Sequence, residues 1–145
     1  MPDGKALSKL SLVSAQRSWN MSRIRGKDTQ PEMIVRRLLH SMGYRYRLHA
    51  PELPGKPDIV FRPRMKAIFV HGCFWHRHPG CKHTTTPKSR EEFWRKKFLQ
   101  NMDRDRRNLQ SLHDAGWATE IVWECETKNT GALASQLRKF LETVN

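Results

Sequence analysis

The chain has 145 residues, of which 27 are Lys or Arg and 14 are Asp or Glu, so its formal net charge is +13. This length suffices for one domain with its own apolar core, which argues against a short finger that folds only around a metal. No run of about 20 apolar residues is present and no apolar leader opens the chain, so we expect neither a membrane span nor a signal peptide, and a cytoplasmic protein.

The charge balance indicates the partner. A basic excess this large for the length of the chain generates a positive field that attracts phosphate backbones, although a solvated basic surface is the simpler alternative. We therefore predict a nucleic-acid partner, and the charge by itself says nothing about an activity.

The first elements follow an unpatterned stretch. Residues 1–20 show no hydrophobic periodicity and predict a flexible arm, followed by a single domain over 21–145. Thr29 and Glu32 have the spacing of a capping box, and Pro31 falls in the first turn. These residues predict a helix that ends at Gly43.

The remaining elements alternate in type. Strands are predicted in "YRYRLHA", "DIVF", "KAIFVHG" and "WATEIVWE". A long helix is predicted from a second capping box at Ser89 and Glu92 to Gly116, and a closing helix covers 130–143. This order indicates an α/β fold with a mixed central sheet flanked by helices.

The segment "HGCFWHRHPGC", residues 71–81, concentrates metal-ligand side chains. All three cysteines of the chain and one histidine make a donor set that is typical of structural zinc. The cysteines are Cys73, Cys81 and Cys125. Spacing leaves open which histidine completes the set: His76, His78 or His83. The alternative is three unrelated buried thiols.

Asp58 begins the strand "DIVF", and a second strand follows one turn later. Many nucleases hold Mg²⁺ with an acidic residue on one strand of a hairpin and further groups on the next. The pair Pro57-Asp58 is too short to be diagnostic, and an aspartate that ends a turn is the alternative.

Six segments, in this order, resemble the very-short-patch mismatch repair endonuclease (Vsr) family: "NMSRIRGKDT", "LPGKPDIVF", "FVHGCFWHRHPGC", "EFW", "NMDRDRRN" and "GWATEIVWEC". The resemblance extends from Ser14 to Cys125. It implies a restriction-endonuclease-like fold of the PD-(D/E)xK superfamily with a structural zinc site. It also implies Mg²⁺-dependent nicking of one DNA strand, 5′ of the thymine in a T·G mismatch left by deamination of 5-methylcytosine.

The resemblance assigns roles position by position. Asp58 corresponds to the family's metal-binding aspartate and His76 to its catalytic histidine. The superfamily's Glu/Asp-x-Lys pair is absent from "AIFVHG", so Val70 would offer Mg²⁺ only its backbone carbonyl. Three positions correspond to residues that support the active site: Glu32, His71 and Asp105. The implied zinc ligands are Cys73, His78, Cys81 and Cys125.

The supporting residues also have structural interpretations. Glu32 belongs to the capping box, His71 ends a buried strand, and Asp105 could pair with a neighbouring arginine.

Aromatic side chains accompany the ligands. Phe74, Trp75 and Trp94 could belong to the core, but two aromatics between zinc ligands predict rings that are held rigidly and point outward. The resemblance implies that these three insert into DNA from the major-groove side, and Met21 from the minor-groove side.

We therefore expect a monomeric endonuclease with catalytic Mg²⁺ and structural Zn²⁺ that acts on double-stranded DNA containing a mismatch. One alternative is a restriction-type or other nuclease of the same superfamily that cuts ordinary duplex DNA. The other is a zinc-stabilised DNA-binding module without catalysis, which is disfavoured because binding alone needs neither Asp58 nor His76. The sequence names neither the flanking bases nor any repair partner.

Overall fold

The computed structural model describes residues 28–144. Its helices are α1 (Gln30–Ser41), α2 (Cys73–His76), α3 (Glu91–Asp114) and α4 (Thr130–Glu142), with 3-10 turns at Arg62–Arg64 and Glu124–Lys128. Its strands are β1 (Arg47–Leu48), β2 (Ile59–Phe61), β3 (Lys66–His71) and β4 (Ala118–Trp123). The arm expected over residues 1–20, and Met21, lie outside the described residues.

Helix α1 begins and ends where the sequence predicts. The Oγ1 of Thr29 accepts a hydrogen bond from the N–H of Glu32 at 3.3 Å, and Pro31 lies in the first turn, where no helical hydrogen bond needs its missing N–H. Gly43 follows with φ +93°, a left-handed conformation that glycine adopts without strain.

The four strands form one mixed sheet in the order β1-β2-β3-β4. Strands β1 to β3 pair antiparallel, whereas β3 and β4 are parallel and are connected through α3. Ile68 of β3 pairs with Ile59 on one side and Glu120 on the other, which makes β3 an inner strand. The predicted α/β fold with a mixed central sheet is confirmed.

Helices cover both faces of the sheet. Helices α1 and α4 pack on one face, where Leu39 and Leu137 meet Ile68, and α3 packs on the other, where Leu112 meets Phe69. Because Ile68 and Phe69 are consecutive, their side chains point to opposite faces of β3. Within residues 28–144, no helix combines the length and the apolar character that crossing a membrane requires.

The start of α3 differs from the prediction. Ser89 and Glu92 do not form a capping box, since the helix begins at Glu91 after Arg90, which offers no side-chain cap. Arg90 has φ +57°, so the chain reverses sharply into the helix. Acidic side chains in the first turn, Glu91 and Glu92, then complement the positive end of the helix dipole.

Strand β1 is shorter than predicted. Only Arg47 and Leu48 of "YRYRLHA" pair with β2, and the next residue, His49, has φ +49° and ends the strand. Tyr44 and Tyr46 instead pack edge-on against Phe61. The loop that follows His49 leads to Asp58 and forms one wall of the site described below.

Candidate active site and metal centre

A cleft of about 510 Å³ opens between the loop that precedes β2, the end of β3 and the middle of α3. Five of the predicted site residues line it: Asp58, Val70, His71, His76 and Asp105. They come from the residue before β2, the end of β3, and helices α2 and α3, so the folded sheet and its helices bring them together. Glu32 is not among the lining residues.

Asp58 directly precedes β2 and lines the cleft. Burial raises its pKa to about 6, against the hydrogen bond that its Oδ2 accepts from the Val70 N–H at 2.8 Å. The nearby negative charge of Glu32 raises the pKa further. A carboxylate in this environment is stabilised by a cation, and Mg²⁺ commonly binds through one or two carboxylates while keeping several waters. Asp58 with the Val70 carbonyl fits that donor set.

Glu32 lies behind Asp58 and is only 1% exposed. Its Oε2 lies 2.8 Å from the Nε2 of His49 and 3.5 Å from the Nη1 of Arg36. The side chain is therefore held by these two partners, while its backbone N–H donates to the capping Oγ1 of Thr29. His49 also donates its backbone N–H to the carbonyl of Asp58 at 2.9 Å, so it connects the two acidic residues.

His76 and Asp105 form a close pair that lines the cleft. The Nδ1 of His76 lies 2.6 Å from the Oδ2 of Asp105. Burial acts to raise the pKa of Asp105, but its hydrogen bond and electrostatic interaction with His76 outweigh burial and lower that pKa. A carboxylate on Nδ1 fixes the orientation of the ring and favours the tautomer whose Nε2 can accept a proton.

His71 lies beneath His76, with the two imidazole planes 9° apart and their centroids separated by 3.7 Å. Burial lowers the pKa of His71 to about 3, and the neighbouring His76 lowers it as well, so the ring is neutral. Its Nδ1 is buried and has no hydrogen-bond partner among the described residues.

The three cysteines and His78 converge on the other side of α2. The Nδ1 of His78 lies 3.7 Å from the Sγ of Cys73 and 3.4 Å from the Sγ of Cys125, and the four ligand atoms, including the Sγ of Cys81, lie within 4.8 Å of one another. Tetrahedral zinc with bonds of about 2.3 Å to sulfur and about 2.0 Å to nitrogen requires an S···N separation of about 3.5 Å. None of the three cysteines is in a disulfide. The residues present therefore fit a tetrahedral metal ion.

The division of the histidines follows from one backbone reversal. His76 ends α2, and Arg77 has φ +56° and turns the chain so that His78 faces the cysteines. The structure thus brings His78, and not His76, to the thiols, the choice that spacing left open. His83 is exposed and is not part of the four-residue group.

The aromatic side chains do not point outward as predicted. Phe74, Trp75 and Trp94 are 7%, 9% and 5% exposed and pack with Phe98. The reason is that α2 lies against α3, so the ring of Phe74 meets the ring of Phe98 with centroids 5.1 Å apart. Arg77 covers this cluster, with its guanidinium carbon 3.9 Å from the centre of the Phe98 ring. The rings are thus core side chains.

Several residues around the site were not predicted from the sequence: His49, Lys56, Arg104, Asn108 and Trp123. Lys56 and Arg104 line the cleft, and a lysine in "GKPD", two residues from the predicted metal-binding aspartate, is a usable signal for a phosphate contact. His49 carries no such signal, because its partner Glu32 is 17 residues away and on another element.

Comparison of the sequence with known proteins relates this chain to DNA endonucleases. The chain matches the family model described as "DNA mismatch endonuclease Vsr" over residues 11–83. "Type II nicking enzyme V.XorIIP" from Xanthomonas oryzae pv. oryzae is 49% identical over 131 residues, which cover 90% of this chain and 96% of that protein. "DNA mismatch endonuclease Vsr" from Escherichia coli is 40% identical over 122 residues, which cover 84% of this chain and 78% of that protein.

A solved structure shares the fold. The "Homing Endonuclease I-Bth0305I Catalytic Domain" superposes with a TM-score of 0.55 and 22% identity, over 78% of this chain and 94% of that one. At this identity the likeness concerns the fold alone, and it confirms the predicted endonuclease-like α/β architecture.

Proposed function

Because the chain belongs to the Vsr family of DNA mismatch endonucleases, which includes DNA nicking enzymes, we propose that it hydrolyses one strand of duplex DNA 5′ of the thymine in a T·G mismatch. The mismatch would arise by deamination of 5-methylcytosine, and the nick would begin a short repair patch. The observation that carries this proposal is the His76–Asp105 pair, 2.6 Å apart, in the same cleft as Asp58.

The proposed roles follow from the geometry. Asp58 and the backbone carbonyl of Val70 would hold Mg²⁺, which when bound supplies positive charge to the scissile phosphate and acidifies water. His76 would take a proton from the attacking water through Nε2, and Asp105 would hold the ring and stabilise its positive charge. Glu32 and His71 support this arrangement from behind, through the contacts described above.

The cluster of cysteines with His78 would hold a structural Zn²⁺. Four protein ligands leave no open position, so this ion would not take part in hydrolysis. Cys125 follows β4, whereas the other ligands flank α2, and a shared ion would therefore fasten the α2 loop to the sheet. The catalytic and structural histidines would be kept apart by Arg77.

DNA binding would rely on the basic surface, with a net charge of +13 attracting the phosphates of the duplex. We retain the insertion of Phe74, Trp75 and Trp94 into the mismatched step as part of the proposal. Their burial means that DNA would have to draw them out of the cluster with Phe98. A mismatched step, which is easier to unstack than a matched one, would lower the cost of that exchange. Met21 would insert from the opposite groove.

We further propose a protein that acts as a monomer in the cytoplasm. All residues assigned to hydrolysis and to the metal cluster come from one chain, and they meet without a second copy.

A second candidate is nicking of a matched duplex at a fixed sequence. It is favoured by one observation, namely that V.XorIIP, which is similar along 96% of its length, carries a name that mentions nicking and no mismatch.

One experiment separates the candidates. Purified protein with Mg²⁺ is incubated with two duplexes of the same sequence, one carrying T·G and the other T·A, with each strand labelled separately. A nick only in the thymine strand of the T·G duplex, immediately 5′ of that thymine, supports the first proposal. Equal nicking of both duplexes supports the second. Cleavage of both strands would contradict both.

A further inference from the structure

Four aromatic rings connect the candidate active site to the metal cluster. His76 is stacked on His71 at a centroid distance of 3.7 Å, and the edge of His71 meets Trp123 at 5.4 Å. Trp123 is in turn stacked on His78, with centroids 4.3 Å apart and planes 10° apart. The two ends of this series are the histidine that would exchange a proton and the histidine that would bind zinc.

Trp123 is held firmly at the centre of the series. It is the last residue of β4 and lies directly beside His71 in the parallel pairing of β3 with β4. Its backbone N–H donates to the Oε1 of Glu126 at 2.8 Å, which fixes the chain where it leaves the strand. Cys125 follows two residues later, so the indole lies between the sheet and the ligand cluster.

His71 depends on ring contacts for its orientation. Its Nδ1 is buried and finds no hydrogen-bond partner among the described residues. A buried imidazole that lacks a hydrogen bond at this nitrogen is oriented largely by the rings around it, here those of His76, Trp123 and Phe69. Any shift of the indole would therefore move His71. Because the ring of His76 is stacked on His71, His76 would move with it.

We propose that Trp123 is a positioning residue that transmits the geometry of the metal cluster to His76. His78 would be held in its plane when it binds the ion. The indole of Trp123 stacks on that plane, and His71 carries the alignment to His76, whose Nδ1 lies 2.6 Å from Asp105. The inference rests on the proposed function for the role of His76 in hydrolysis, but the alignment of His76 with Asp105 can be measured without any turnover.

The test compares variants along the series. Trp123→Leu removes the ring and keeps apolar volume, whereas Trp123→Phe keeps a ring. His78→Cys gives a four-cysteine ligand set that still suits zinc but removes the ring beneath Trp123. Ile121→Leu is the matched control, because Ile121 projects from the same face of β4 two residues earlier and packs against the cluster that contains Leu112 and Trp117.

Four quantities are measured for each variant: bound zinc, melting temperature, affinity for the T·G duplex, and the low-field proton resonance of the His76 Nδ1–H in the hydrogen bond to Asp105. Single-turnover nicking is measured in parallel. For Trp123→Leu and His78→Cys we expect zinc and DNA affinity to be retained, the resonance to broaden or disappear, and nicking to fall about 10- to 100-fold, the usual cost of losing a residue that orients a ligand. Trp123→Phe and Ile121→Leu should resemble the wild type.

Several outcomes would overturn the inference. An intact resonance with unchanged nicking in Trp123→Leu would show that His76 keeps its alignment without the indole. Loss of zinc in that variant would make Trp123 part of the metal site itself, and a Trp123→Phe variant as defective as Trp123→Leu would exclude ring stacking as the cause. If Trp123→Leu does not fold, His78→Cys decides the question. A wild type that shows the resonance but does not nick the T·G duplex would count against the proposed function and leave the positioning role standing.

Discussion

Gly55 and Asn108 approach each other so closely that a Cβ on Gly55 would lie 3.0 Å from the Cβ of Asn108. Gly55 belongs to the loop that leads to Asp58, Asn108 belongs to α3, and both line the active-site cleft. The contact sets the distance between the wall that carries Asp58 and the helix that carries Asp105. Cleft width therefore depends on the absence of a side chain at Gly55.

Replacing Gly55 by alanine should reduce both stability and nicking. The residue has φ +75°, and its new Cβ would also lie 3.2 Å from the Phe69 ring, so the loop must move away from α3. Gly80→Ala is the matched control, because Gly80 has φ +72° but no heavy atom within 4 Å of its Cβ. We expect Gly55→Ala to cost about 1–3 kcal/mol more than the control in denaturant unfolding, the usual cost of overpacking. Equal losses in the two variants would show that only backbone strain matters.

The Asp105 carboxylate should be needed for hydrolysis and not for binding. Asp105→Asn keeps the size of the side chain but cannot stabilise a charged His76 ring, so single-turnover nicking should fall by about 10²- to 10⁴-fold. Asp103→Asn on the same helix is the control, because the ion pairs of Asp103 within residues 28–144 are with exposed Arg106 and Arg107. Combined with His76→Ala, Asp105→Asn should add little, since the two residues act as a unit. Additive losses would contradict a functional pair.

The charge on Asp58 should destabilise the metal-free protein at high pH. Burial raises its pKa from 3.8 to about 6, so the unfolded chain releases this proton more readily than the folded one. This loss of folding stability is absent when the pH is below the pKa values of both the unfolded and the folded chain. It grows as the pH rises between the two values, and it reaches its maximum above the pKa of the folded chain. Asp58→Asn retains an acceptor for the Val70 N–H but removes the negative charge. Nicking should therefore be abolished, because the proposed Mg²⁺ ligand is lost. The unfolding free energy at pH 8 should nevertheless rise by about 1–3 kcal/mol, because no charge is buried.

That gain should shrink as the pH falls from 8 towards 4. Denaturant unfolding of both proteins in buffer without Mg²⁺ provides the measurement, and no chelator is added because it would also remove zinc. A gain that does not change with pH would trace the effect to packing rather than to charge.

Zinc should depend on His78 and Cys125 but not on His76. Cys125→Ser removes the ligand that joins the loop to the end of β4, so the metal should be lost and the melting temperature should fall markedly. His78→Ala should also lose the metal, whereas His76→Ala should keep it and fail only in nicking. Elemental analysis decides between these outcomes, and native protein without zinc would end the proposal.

Trp75 should behave as a core residue in the free protein. It is 9% exposed, and truncation of a buried aromatic typically costs about 3–5 kcal/mol. Phe93→Ala, at a neighbouring aromatic that is 45% exposed, should cost much less.

The role of Trp75 on DNA is tested under conditions in which Trp75→Ala remains folded. If the ring stacks on a base, binding of the T·G duplex should weaken by about 1–3 kcal/mol while binding of the matched duplex changes little. An equal loss for both duplexes at one salt concentration would restrict Trp75 to the core.

The sequence predicts best those features that local chemistry determines. The cap at Thr29 and the glycine at Gly43 bound α1 because a helix needs a side-chain acceptor at its start and a left-handed residue at its end. The chain has three cysteines, and two of them lie in one histidine-rich loop. Few other sets of metal ligands were therefore possible.

Features that depend on packing between distant parts of the chain could not be predicted from local sequence. Whether Phe74 and Trp75 point outward is decided by α3, which packs on α2 only after the chain has crossed between β3 and β4. The contact of His49 with Glu32 requires a loop to meet the first turn of α1. Ser89 and Glu92 show the reverse failure, since their spacing fits a capping box but the left-handed Arg90 moves the helix start beyond Ser89.

The left-handed Arg77 has a consequence for how this loop can change during evolution. Its reversal directs His76 to the cleft and His78 to the cysteines, so a residue added or removed between them would disturb this division. Beyond His78 the chain is exposed at Pro79 and Gly80, and a Cβ on Gly80 would meet no atom within 4 Å. Insertions and deletions in homologous chains are therefore expected to accumulate between His78 and Cys81. The length of the loop can change there without altering the position of His76 in the cleft.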